Sequence, residues 1–179
     1  HIHIIFKTHL HVGSTDFAGN VVANCFQQYI PSAIALARRL RESDGPDRFI
    51  WTTSSWLIYE CLEQASPVEW DGLEDAIAAG DIAWHGLSFT MHSKLLDPGL
   101  FRFGLSLSQE LDRRFGKQTI AAKMTDVPGH TRGIVPLLAA AGIQFLHMEV
   151  IRDGNRQLHA VGAGVFYEGP DGRLASARC

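Results

Sequence analysis

Short apolar runs alternate five times with longer segments of helical periodicity between Ile2 and Val150, and that alternation admits few folds. Ile2 to Thr8, Phe49 to Thr52, Ile82 to Leu87, Thr119 to Thr125 and Gln144 to Val150 read as strands. Between them, Asn20 to Glu42 sets Val21, Val22, Phe26, Ile30, Ile34, Leu36 and Leu40 at helical spacing. Ser55 to Gln64, Pro67 to Ala79, Pro98 to Phe115 and Arg132 to Ala141 read as further helices, with Gly80 and Gly142 just past two of the ends. Strands that alternate with helices belong to a parallel sheet with helices packed outside it.

From Arg152 onward the pattern changes. Gly and polar residues dominate, as in Asp153-Gly154-Asn155 and Gly169-Pro170-Asp171-Gly172, so 152–179 is expected to form an irregular excursion or a hairpin. A closed eight-unit barrel takes about 250 residues, and five units are too few to close one. The expectation is therefore an α/β chain, 1–179, forming part of a (β/α) barrel, with a five-stranded doubly wound domain as the alternative.

Composition narrows the partners. A formal net charge of -3 without a Lys/Arg cluster gives no footprint for nucleic acid, and no apolar stretch approaches the ~20 residues of a membrane span. With 46% hydrophobic residues the chain can bury one sizeable core. Cys25, Cys61 and Cys179 are an odd, widely spaced set with no CxxC pair, which argues for free thiols rather than a disulfide framework or a thiolate zinc site. A cytoplasmic location is the expectation; the sequence opens at His1 without an initiating Met, and an original targeting segment would lie outside it.

Ligands of such sheets gather at the carboxyl ends of the strands. Two polar clusters fall there: Thr8-His9-Leu10-His11-Val12-Gly13 after the first strand, and Thr125-Asp126-Val127-Pro128-Gly129-His130-Thr131 after the fourth. Side chains two apart on a strand share a face, so His9 and His11 can address one ion if the strand extends that far. Asp126 would supply a carboxylate, and two imidazoles with one carboxylate suit zinc. The competing structural roles are hydrogen-bonded loop histidines for His9 and His11, and a helix N-cap for Asp126. His85, His92 and His147 lie in or near strands and more often fill core or loop positions. Trp51, Trp56, Trp84 and Phe89 could stack on a sugar, although aromatic residues beside strands usually belong to the core.

The two clusters, in this order and at this separation, resemble the N-terminal catalytic domain of glycoside hydrolase family 38, the α-mannosidases, and related barrel families. That family has a seven-stranded (β/α) barrel whose first strand ends in H-x-D followed by Gly, matched here by His9-Leu10-His11-Val12-Gly13. A later strand ends in D-P-F-G-H-S or a close variant, matched here by Asp126-Val127-Pro128-Gly129-His130-Thr131. The similarity runs over about residues 2–150, and Arg48-Phe49-Ile50-Trp51 and Gly80-Asp81-Ile82 take part in it. The resemblance implies a retaining, zinc-dependent glycosidase. His9, His11 and Asp126 would hold zinc, Asp126 would also act as nucleophile, and His130 and Trp51 would contact the carbohydrate. It also implies that the remaining ligand and the general acid come from later barrel units, or that a partner subunit completes the site. This sequence departs from the family at His11, where an imidazole replaces the carboxylate and removes one negative charge.

Two other classes compete. A metal-dependent amidohydrolase-like barrel uses H-x-H at its first strand and needs no excuse for His11, but leaves the 126–130 turn unexplained; a zinc-dependent polysaccharide deacetylase stands behind it. A non-catalytic carbohydrate-binding homologue is the remaining alternative, favoured by an incomplete barrel and by the His11 departure, and distinguished by the absence of a second carboxyl group near Asp126; Asp97 and Asp16 are the loop acids near strand ends, and each is expected to be a cap or turn residue instead.

Overall fold

The computed structural model describes residues 6–7, 10, 12, 15–43, 45–64, 67–125, 127, 130–149, 164–168 and 174–178, with side chains described outside 6–7, 67–71, 148–149, 164–168 and 174–178. The chain forms two units, one of residues 1–53 and 57–84 and the other of residues 54–56 and 85–179.

In the first unit the strands β1 (Phe6–Lys7), β2 (Trp51–Ser54) and β3 (Ile82–His85) lie in that order in one sheet. β1 and β2 are parallel, with Phe6 opposite Trp51 and Lys7 opposite Thr52. The second strand begins two residues later than its sequence pattern predicts. Ile50 is exposed, and the buried run starts at Trp51, whose N–H donates to the Asp81 carbonyl at 2.9 Å.

The segment expected as one helix, 20–42, is three: α1 (Ala18–Asn24), a π-helical turn (Cys25–Tyr29) and α2 (Ile30–Glu42). Pro31 accounts for the break. It has no N–H, and in a continuous α-helix its ring would press on the carbonyl of Gln27. The wider turn, in which the Ile30 N–H reaches back five residues to the Cys25 carbonyl, relieves that clash. Beyond it α2 buries Ile30, Ala33 and Ala37, three and four residues apart on one face. The helices α3 (Ser55–Gln64) and α4 (Pro67–Ala79) contribute buried Leu57, Ile58, Leu62, Leu73 and Ile77. Gly80, at φ 82°, turns the chain out of α4, and Asp81 then pairs with Arg41 of α2.

The second unit carries the longest helix, α5 (Pro98–Phe115), whose limits are written in its ends. The Asp97 side chain accepts the N–H groups of Gly99 and Leu100, Pro98 occupies the first turn, and Gly116 closes the helix in the left-handed region at φ 62°. Its inner face, Phe101, Gly104, Leu105, Ser108 and Leu111, repeats every three or four residues. Phe101 and Leu105 share a core with Leu87, Ala122, Met124, Ile134, Leu138, Ile143 and Leu146. Side chains of this kind each contribute about 1.5–3 kcal/mol when fully buried.

Strands β4 (Ala121–Thr125), β5 (Phe145–Glu149), β6 (Gly164–Glu168) and β7 (Leu174–Arg178) form a sheet in the order β4-β5-β7-β6. β4 and β5 run parallel from Ala121 opposite Phe145 to Thr125 opposite Glu149; β5 and β7 are also parallel, while β6 and β7 are antiparallel. β4 starts at Ala121 instead of Thr119 because Asp112 captures both the N–H and the hydroxyl of Thr119, at 2.7 and 2.8 Å. The last helix, α6 (Ile134–Ala140), likewise starts two residues later than expected, after a turn in which Thr131 Oγ1 accepts the Gly133 N–H at 3.2 Å.

The fold is thus mixed α/β with small, largely parallel sheets. Among the described residues the strands form no closed barrel. No helix among them is long and apolar enough to cross a membrane.

Candidate functional site

His9, His11 and Asp126, the proposed metal-binding residues, lie outside the described residues. What the structure describes is the chain leading to each of them. β1 runs through Lys7, two residues before His9, and β4 ends at Thr125, which is 7% exposed and immediately precedes Asp126. Among the described residues no three His, Cys, Asp or Glu side chains are grouped as a metal site.

The segment after β4 is held by a residue that sequence reasoning did not single out. Ser93 opens a short 3-10 turn (Ser93–Leu95) and is 4% exposed. Its Oγ accepts the Thr131 N–H at 3.0 Å and lies 3.4 Å from Nδ1 of His130. The opposite ring nitrogen, Nε2 of His130, is buried and has no hydrogen-bond partner among the described residues. Burial pushes the His130 pKa below its ordinary 6.5; a hydrogen bond with the Val127 backbone opposes that shift, and the charge of His92 adds to it. The lowered pKa favours the neutral ring.

Buried polar atoms without partners are rare, since each forfeits its hydration on folding. Those of the described residues are His130 Nε2 and the hydroxyls of Thr53, Ser54 and Ser55. Thr53 and Ser54 are the last residues of β2, Ser55 is the first of α3, and His130 lies five residues beyond β4. In the second unit the Ser55 and Trp56 N–H groups donate to the Leu87 and Ser88 carbonyls at 3.2 and 3.3 Å. Within that unit those bonds tie residues 55–56 to the loop after β3, the same loop that leads to Ser93.

Trp51 is a core residue, 5% exposed on β2, and Trp84 is 7% exposed. Among the four aromatic residues weighed as sugar platforms, Phe89, 42% exposed, offers open ring surface. Trp56 packs against it edge-on, with centroids 6.1 Å apart at 83°. Their exposure depends on three-dimensional packing that the spacing of the tryptophans does not reveal.

The remaining candidates serve local structure. Asp97 caps α5, and Asp16 accepts the Phe17 N–H at 2.7 Å and the Asn20 amide at 3.1 Å beside the start of α1. His85 Nδ1 accepts the Leu87 N–H at 3.3 Å, and His147 is exposed on β5. Cys25 and Cys61 are buried thiols not joined in a disulfide, and burial raises the Cys25 pKa, which suppresses the thiolate; Cys179 lies outside the described residues. A cavity of about 490 Å³ in the first unit is lined by Phe26, Ile30, Ile34, Cys61 and Leu73 with Arg38 among its polar walls, and neither Trp51 nor His130 lines it.

No protein-family model matches the sequence, and no curated protein matches it. Solved structures do share its fold. A 4-alpha-glucanotransferase from Thermococcus litoralis matches over 97% of this chain and 26% of its own, at 16% identity and a TM-score of 0.65. An alpha-mannosidase from Enterococcus faecalis V583 matches over 97% of this chain and 19% of its own, at 11% identity and a TM-score of 0.74. A protein in the glycosyl hydrolase family 38 from Enterococcus faecalis matches over 85% of this chain and 17% of its own, at 12% identity and a TM-score of 0.54. The chain spans about a quarter or less of the length of these proteins, and at such identities the likeness is one of fold.

Proposed function

We propose that this chain is part of a carbohydrate-active enzyme that cleaves glycosidic bonds by a retaining, α-mannosidase-like mechanism with zinc. The observation that carries the reading is the likeness of fold, at a TM-score of 0.74 over 97% of the chain, to a structure described as an alpha-mannosidase. The order of the His9/His11 and Asp126/His130 clusters along the sequence supports it independently of that likeness.

In this proposal the fold is the opening portion of a seven-stranded barrel, and His9, His11 and Asp126 hold the metal. The donor chemistry fits zinc: two imidazoles and one carboxylate are ligands it accepts, with a position left over for substrate. An unpartnered, buried imidazole nitrogen on His130, four residues beyond Asp126, fits a neighbourhood built to receive a polar ligand. Bound zinc would supply a Lewis acid that orients sugar hydroxyls and keeps the neighbouring carboxylate ionised. Asp126 attacks the anomeric carbon, and the leaving oxygen is protonated by a second carboxyl group about 5–5.5 Å away, as retention requires. Asp16 and Asp97 are engaged at helix starts and are not assigned that role. His130 contacts substrate hydroxyls, and the exposed face of Phe89, with Trp56 behind it, is the surface for stacking; buried Trp51 supports β2 from within.

The likeness to a 4-alpha-glucanotransferase favours a second reading in which a sugar hydroxyl, rather than water, takes the glycosyl group from the enzyme. Both readings share the covalent step at Asp126.

Zinc content and affinity of the purified chain, compared with His9→Ala and Asp126→Ala variants of unchanged circular dichroism, test the site. Stoichiometric zinc lost in both variants supports it; zinc absent, or unchanged in either variant, rejects it. Release of nitrophenol from 4-nitrophenyl α-mannoside by the full-length protein, with Asp126→Asn as control, tests the activity. A rate equal in that variant and in the parent rejects Asp126 as nucleophile.

A further inference from the structure

The hydrogen atoms around His130 can be assigned from its neighbours. The Val127 backbone interaction favours the protonated ring, which is the behaviour of a ring N–H facing a carbonyl oxygen. Nε2 has no partner among the described residues, so that N–H belongs to Nδ1. Ser93 Oγ already accepts the Thr131 N–H at 3.0 Å and lies 3.4 Å from Nδ1, where it can accept the ring N–H that faces Val127. With the Val127 carbonyl taking the Nδ1 proton and Ser93 Oγ beside it, Nε2 is left as the bare nitrogen.

We infer that Ser93 is the positioning residue of this site: anchored by the Thr131 N–H, it fixes the His130 ring so that Nε2 presents a lone pair to a hydroxyl donor of the ligand. Burial strengthens the argument. A lone pair shut away from water gains nothing from solvent, so a donor arriving from a ligand restores a hydrogen bond otherwise missing in the folded chain. Ser93 is 37 residues from His130 in sequence and 4% exposed, and its hydroxyl serves both the backbone and the ring. The ligand class, a polyhydroxylated carbohydrate, rests on the proposed function; the tautomer and the role of Ser93 do not.

The test uses the full chain with 15N-labelled histidine in metal-free buffer at pH 7.5. Long-range 1H–15N correlation spectra are recorded, and the His130 signals are identified by their loss in His130→Gln. The expected wild-type pattern is a protonated Nδ1 and a bare Nε2, and a protonated Nε2 overturns the inference. Ser93→Ala should mix the two tautomers, and Ser93→Thr, which keeps the hydroxyl, should restore the single form. An unchanged tautomer in folded Ser93→Ala removes Ser93 from its role. If that variant does not fold, Ser93→Cys, of similar size but a weaker acceptor, decides the same point. Added methyl α-mannoside should shift the Nε2 resonance, and no shift at millimolar sugar overturns the ligand assignment. No turnover is read here, so failure of the inference is distinct from failure of the proposed hydrolase activity.

Discussion

Gly86 and Ile143 are packed so closely that a β-carbon on Gly86 would overlap Cδ1 of Ile143 and stand 3.0 Å from its Cγ1. Gly86 also donates its N–H to the Ala121 carbonyl at 2.8 Å, which pins the backbone where β3 hands over to the loop beyond it. With the backbone held and Ile143 only 4% exposed, neither partner has room to yield. Gly86→Ala is expected to destabilise the chain by about 1–3 kcal/mol, the usual cost of overpacking a close-packed core. Adding Ile143→Val, which removes the overlapping methyl, should recover part of that loss. A double-mutant cycle by urea denaturation measures the coupling, and strict additivity would mean that the two residues do not collide.

Asp97 carries a second prediction. Its Oδ1 accepts two N–H groups of the first turn of α5, at 2.7 and 3.2 Å, and would otherwise leave them to water. Asp97→Ala should cost about 1 kcal/mol, and Asp97→Asn much less, because the amide oxygen caps equally well. If Asp97 were instead the missing general acid, Asp97→Asn would abolish glycoside hydrolysis while sparing stability. Thermal melts and rates on the same pair of variants separate the two roles.

The same helix shows why parts of the fold were legible in the sequence and others were not. The limits of α4 and α5 follow from local punctuation: Pro67 and Pro98 in first turns, Asp97 as cap, Gly80 and Gly116 at the ends. Where a side chain competes for backbone groups, periodicity misplaces the boundary. Asp112 takes Thr119 out of β4, and Thr131 delays α6, because both bonds depend on a turn that apolar spacing does not encode. Pro31 was visible, but a proline early in a helix and a proline that widens one read alike until the Ile30–Cys25 bond is seen. For the site, the rule that ligands gather at strand ends pointed to 126–131. Ser93 lies on the loop after β3, distant in sequence, and has no pattern of its own.

Arg41 and Asp81 make an ion pair within the first unit, with the Asp81 side chain 9% exposed and that of Arg41 37% exposed. Asp81 also accepts the Trp51 N–H through its carbonyl, so its placement bears on the start of β2. Removing the guanidinium leaves a nearly buried carboxylate without its cation. Arg41→Ala is expected to cost on the order of 2 kcal/mol, below the figure for a fully buried pair because solvent reaches the arginine. Arg41→Lys should recover less than half, since an ammonium lacks the planar fork. Denaturant midpoints of the three proteins check this; an unchanged midpoint in Arg41→Ala would leave the pair without a structural role.

The proposed metal site predicts a gain from one substitution. His11 stands where the family resembled here has a carboxylate, so a divalent ion bound with Asp126 would keep an uncompensated positive charge. His11→Asp adds a negative charge beside the ion, and even at an effective dielectric constant of about 20 such a contact is worth more than a tenfold change in affinity. Zinc affinity measured by competition with a chromogenic chelator should therefore tighten by about tenfold or more. No gain would argue that residue 11 does not face the metal.

His130 links the site to stability through pH. Burial, the larger influence, lowers its pKa in the folded chain from the 6.5 of an unperturbed imidazole, His92 lowers it further, and the Val127 backbone opposes both. Just beneath pH 6.5 the unfolded chain's ring therefore binds more protons than the folded chain's, and stability rises with pH in that interval. The contribution is fully present above 6.5 and is lost as pH falls through 6.5 toward the lowered value, because charging the ring then favours unfolding. Replacing His130 by Gln removes a titrating group while leaving the other eight histidines to act equally in both proteins. The difference in urea midpoint between wild type and His130→Gln should thus shift in favour of the variant on going from about pH 7.5 to about pH 5.5. A difference that stays constant across that range would mean the ring is hydrated in solution, and a shift of the opposite sign would mean it meets an acidic partner there.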